Sequence, residues 1–170
     1  MRKEDGVRVL GWLLFRLPEI AVGLVTAAIA VLINVQVALR YIFNAPTGWT
    51  DEWMRLLALW VIFLGTAVAV GRGSHIGLHI IANYLSRRQL RWLNSVVFLL
   101  IIIFGAITFV YATQATQTAF GQYFTMTGVP VGWQYLSGPV GLALMLIYSI
   151  RNLVNDHDPI PSTEVEETGQ

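Results

Sequence analysis

The residues able to do chemistry in this chain gather in a few short windows. One is GWTDEWMR, where Asp51, Glu52 and Arg55 lie close together. Thr50 is positioned to cap a helix there, which puts both carboxylates in its first turn, where the helix dipole favours negative charge. Arg55 follows Asp51 by four residues and Glu52 by three, so either can pair with it on one helix face. Arg40 ends the preceding apolar run and can reach the same cluster. The plain reading is a capped helix start with surface ion pairs. The functional reading is a polar girdle that docks a partner or fixes two helices. Spacing alone leaves both open.

A second window, HIGLHIIANYLSRR, holds His75 and His79 at i, i+4, a spacing that can bind a metal. Two imidazoles without a carboxylate or a third ligand make a poor site, and a bridging haem needs histidines from different helices. The chain has no cysteine, which removes thiolate nucleophiles, disulfides and Cys-based clusters. No nucleophile–base pair can be assembled, so the sequence does not read as an enzyme and implies no cofactor.

The elements that must carry these residues are membrane spans. Hydrophobic residues make up 55% of the 170 and charged residues 12%, about half the charge of a soluble domain. Net charge is +1, which gives no basic field for nucleic acid. About 20 mostly apolar residues cross the hydrocarbon core as a helix. Four stretches qualify: Leu17–Leu39, Glu52–Val70, Trp92–Tyr111 and Trp133–Val154. The expected fold is therefore an all-α integral membrane protein with four transmembrane helices over residues 1–155. The tail over 156–170 is acidic, contains proline and reads as disordered. A cleaved signal peptide fits the basic start but not the length of the first run, which lacks a small-residue cleavage site.

Lys and Arg set the orientation. Arg2, Lys3, Arg8, Arg16, Arg72, Arg87, Arg88, Arg91 and Arg151 fall on one side, and only Arg40 and Arg55 on the other. Both termini are therefore expected inside. Trp12, Phe15 and Trp92 mark the inner interface; Tyr41, Phe43, Trp49, Trp53 and Trp133 mark the outer one. On a helical wheel, the isoleucines and leucines of 76–85 oppose His75, His79, Asn83 and Ser86. That pattern predicts an amphipathic interfacial helix between spans 2 and 3, with Arg87 and Arg88 at lipid headgroups.

No acid or base sits at the centre of a span, which argues against a proton-coupled pump. Asn34 and Gln36 are the deepest strong polar groups, suited to an interhelical hydrogen bond or to a substrate contact. Trp60, in the middle of span 2, is expected to pack on another helix. Gly65 and Ala69 form a small-xxx-small pair that permits close helix approach. Pro139 either opens span 4 or kinks it. The Thr/Gln-rich stretch from Thr108 to Thr118 reads as a wet vestibule or as a polar helix end.

The order of these features, QVALRYIFNAPTGWTDEWMRLLALWVIFLGTAVAVGRGSHIGL and later TMTGVPVGWQYLSGPVG, resembles the small membrane subunit of tripartite ATP-independent periplasmic (TRAP) transporters. The residues that carry the resemblance are Arg40, Trp49, Asp51, Glu52, Arg55, Trp60, Gly65, Arg72 and His75. His79 departs from it, since the family often has Asp there. The resemblance implies a scaffold role beside a large elevator-type subunit that holds the substrate and sodium sites. It also implies a periplasmic substrate-binding protein and an organic acid anion as substrate. Two rivals remain. A small multidrug-type carrier needs a carboxylate in span 1, and none lies between Ile20 and Leu39. A respiratory membrane anchor would show a haem absorbance.

Overall fold

In the computed structural model of the chain, residues 2–45, 47–72 and 87–154 are described, with side chains from Arg16 onward except those of Arg87, Arg88, Leu90, Arg91 and Asn94. The interfacial helix expected over residues 75–86, His75 and His79 within it, and the tail lie outside the described residues. So do the side chains of Arg87 and Arg88, whose backbone opens the third long helix.

The long helices are α1 (Arg2–Tyr41), α2 (Gly48–Gly71), α3 (Arg87–Ala119) and α5 (Ser137–Val154), with a one-turn α4 (Gly132–Tyr135) leading into α5. Four spans are long and apolar enough to cross a membrane: Arg16–Tyr41, Gly48–Gly71, Ser95–Ala119 and Gly132–Val154. The break between α4 and α5 has a local cause. Pro139 has no N–H to return to the carbonyl of Tyr135, so the ladder skips at Leu136. Leu136 donates to Gly132 O and Val140 to Leu136 O on either side of the gap, so the span stays nearly continuous. Pro139 thus sits in the first turn of α5.

The helices pack as a row rather than a closed bundle. α1 lies on α2, α2 on α5, and α5 on α3, with α4 wedged between α2 and α3. On α1 the less exposed positions include Pro18, Val22, Val25, Ile29, Leu32 and Gln36. They repeat every four and three residues, the seam of an antiparallel helix pair. α5 supplies the tightest contact. A Cβ on Gly141 would lie 2.8 Å from the Phe63 carbonyl oxygen on α2, so only glycine lets these backbones meet. Ala67 and Val70 of α2, Phe98 of α3, and Leu142, Met145 and Tyr148 of α5 form the buried core. A row one helix thick leaves both broad faces uncovered, and this is why Leu24, Ile62, Phe104 and Tyr111 stand exposed in the isolated chain.

Candidate functional site: the outer polar end and its inner counterpart

The end of the molecule that the arginine bias predicts to face outward, the outer end, is built on the first turns of α2. The helix begins at Gly48 with Thr47 as its cap, and no side chain closes the cap. This corrects the expectation that Thr50 caps the helix. Thr50 lies inside the first turn, fully buried, with its hydroxyl donating to the Thr47 carbonyl.

Asp51 and Glu52 do not pair with Arg55 or Arg40, another departure from what spacing suggested. Asp51 Oδ1 accepts from Gln36 Nε2 of α1 at 2.6 Å. Glu52 turns to the loop after α3. Its Oε1 accepts from Met126 N, and its Oε2 from Thr127 N and Thr127 Oγ1, each at 2.8 Å. Sequence spacing could not find this, because the partners are 74 and 75 residues away and most of them are backbone amides. Among the described residues, no carboxylate pairs with Arg40 or Arg55; the Glu19–Arg72 ion pair lies at the other end of the molecule.

The loop that Glu52 holds is ordered by its own backbone. Phe124 N donates to Val129 O, Gly128 N to Phe124 O and Val131 N to Gln122 O, and Tyr123 and Pro130 form an antiparallel bridge. Gly128 takes φ +66°, a conformation that closes the turn at no side-chain cost. The Phe120 ring lies over Gly132, where any Cβ would strike it, and meets Trp133 edge-on at 6.0 Å. Trp60 Nε1 donates to the Trp133 carbonyl at 3.1 Å, fastening α2 to the start of the fourth span. The result is a small platform whose tip carries Tyr123 and Met126, 64% and 67% exposed.

The Thr/Gln-rich stretch forms the C-terminal part of α3. Thr108, Thr113, Thr116 and Thr118 each donate to a carbonyl three or four residues back on their own helix. Their hydroxyls are spent locally, as threonine does in apolar surroundings. Asn34 does the same, donating to Ala30 O, so of the two deep amides only Gln36 bridges helices.

At the inner end, Arg72 closes α2 and pairs with Glu19 of α1, with Nη2 to Oε1 at 2.9 Å and Nε to Oε1 at 3.0 Å. Glu19 had no distinguishing signal beyond its place beside Pro18. Asn152 Nδ2 donates to Val70 O, satisfying a carbonyl at the end of α2. The polar clamps therefore lie at the two ends of the spans with apolar packing between. Gly65 meets nothing within 4 Å of where a Cβ would stand, and Ala69 is exposed, so this small-residue pair faces away from the rest of the chain. Trp49 is partly exposed at the outer rim. Among the described residues, no group of three or more His, Asp and Glu side chains is placed to hold a metal.

Comparison with known proteins gives a consistent match. The family model described as "Tripartite ATP-independent periplasmic transporters, DctQ component" covers residues 29–158. The sialic acid TRAP transporter small permease protein SiaQ of Vibrio cholerae is 29% identical over 137 residues, covering 80% of this chain and 78% of that protein. The sialic acid TRAP transporter permease protein SiaT of Haemophilus influenzae is 24% identical over 136 residues, 80% of this chain but 22% of that much longer protein.

Proposed function

Because the chain belongs to the DctQ-component family of tripartite ATP-independent periplasmic transporters, we propose that it supports a large elevator-type permease during sodium-coupled uptake of an organic acid anion. It is a small permease component of the bacterial inner membrane and not an enzyme. Its partners are the large membrane permease, the periplasmic substrate-binding protein that delivers the anion, and membrane lipids.

The observation that carries the scaffold reading is the row of four spans with charge only near its ends. Glu19, Arg72 and Arg151 sit at one end, and Arg40, Asp51, Glu52 and Arg55 at the other. A transport path needs polar groups at mid-membrane, and the described spans offer none that is ionisable. The arginine bias supports both termini lying in the cytoplasm. In that orientation the Glu52-held platform faces the periplasm, where it can meet the binding protein. Gln36–Asp51 and Glu19–Arg72 then have a structural role, holding α1 and α2 in register. His75 remains part of the motif without an assigned role, and Arg87 and Arg88 are proposed headgroup contacts.

The test is uptake in proteoliposomes under a sodium gradient, with labelled sialic acid as the first anion because of the relatives named for it. Uptake is expected with the chain, its large permease and the binding protein together. Uptake by this chain without the large permease would overturn the scaffold role.

A further inference from the structure

The exposed sides of α3 and α2 differ in chemistry. The face along α3 is bulky and apolar: Leu99, Leu100, Ile103, Phe104, Ile107 and Val110 all stand exposed. That is the composition of a surface that meets lipid tails. The open side of α2 is different. Arg55, Ile62, Thr66 and Ala69 are exposed at spacings of seven, four and three, which places them in one line along the helix. Gly65 borders that line with empty space above it. Small residues let a second helix approach closely, whereas they offer lipid little to pack on.

Arg55 gives this line its charge. The Gln36–Asp51 bond fixes the outer register of α1 and α2, and Arg55 lies one helical turn further into the span, about 6 Å. Both nearby carboxylates are already committed, Asp51 to Gln36 and Glu52 to the loop amides. A guanidinium on a span surface calls for an anion. The relative of which a region like this chain makes up only 22% indicates the source, since there the same kind of region is joined covalently to a much larger permease.

We propose that the α2 line Arg55–Ile62–Thr66–Ala69 is the seat of a transmembrane helix of the large permease, and that Arg55 pairs with an aspartate or glutamate near that helix's outer end. This rests on the functional reading above. The α3 face is left to lipid.

The exposure of Ile62, Ala69 and Phe104 makes the test direct. A photo-crosslinking residue is placed at Ile62, at Ala69 or, as the contrasting site, at Phe104, and the full chain is co-expressed with its large permease. Adducts with the permease are expected from Ile62 and Ala69 and not from Phe104. Arg55→Glu should lower the amount of permease that co-purifies by about tenfold, the scale of one lost polar contact, while Arg55→Lys retains most of it. The circular dichroism of the isolated variants should match the native chain. Adducts from Phe104 alone, or full retention of the permease by Arg55→Glu with loss of bound phospholipid instead, overturn the inference and leave the scaffold reading standing. A native chain that retains no large permease overturns both.

Discussion

At Glu52, one carboxylate gathers three donors from a loop that the sequence places far away. A glutamine there keeps one acceptor oxygen, and an alanine keeps none. Amide hydrogen exchange at Met126 and Thr127 should therefore quicken in Glu52→Gln and more so in Glu52→Ala, while exchange in the middle of α2 stays slow. Unchanged protection at both amides would remove the clamp role. Two glycines give a sharper contrast. Gly141→Ala sets a methyl against the Phe63 backbone and should destabilise the chain by about 1–3 kcal/mol, read from thermal unfolding in detergent. Gly65→Ala meets nothing and should leave the isolated chain unchanged. Equal effects from the two would contradict the assigned packing.

Between elements, a few polar contacts hold the row, each modest in size. Trp60→Phe keeps an aromatic ring, though a smaller one, and loses the donor to the Trp133 carbonyl; the lost hydrogen bond alone is expected to cost about 0.6–2 kcal/mol. The same substitution should loosen the fourth span's outer end without moving the inner Asn152–Val70 contact. The Glu19–Arg72 pair is partly exposed, so its coupling in a double-mutant cycle over Glu19→Gln and Arg72→Gln should be about 0.2–1 kcal/mol. A coupling far above that range would mean the pair is shielded in a way the isolated chain does not provide. α1 has the most to lose at this scale, because among the described residues its main packing partner is α2 alone.

At the scale of the whole molecule, the open row has a consequence for topology and for how the chain is handled. Under the proposed orientation, with both termini in the cytoplasm, a cysteine at Thr125 should react with a membrane-impermeant maleimide added to intact spheroplasts. One at Gln89 should react only after the membrane is permeabilised. The reverse pattern would invert the orientation drawn from the arginine bias. The uncovered faces also predict that the chain alone needs more detergent and aggregates sooner than its complex, measured by size-exclusion profile.

The sequence alone determined the four spans, their lack of mid-membrane charge, and the family resemblance through residues such as Arg40, Trp49 and Glu52. These properties follow from local composition: a helix in lipid satisfies its own backbone, so 20 apolar residues suffice to define it. Heptad spacing on α1 is legible too, once its partner is known. What only the tertiary structure decided is who meets whom. Local spacing pointed Asp51 and Glu52 at Arg55, yet one carboxylate took an amide on another helix and the other took loop N–H groups. Four apolar helices can close into a bundle or lie in a row with the same hydropathy. The order in which the helices pack makes the row, with Gly141 setting the close α5–α2 contact at Phe63, and it leaves Arg55 exposed on α2. That choice depends on which surfaces fit, and surface fit is a property of pairs of helices rather than of any one stretch of sequence.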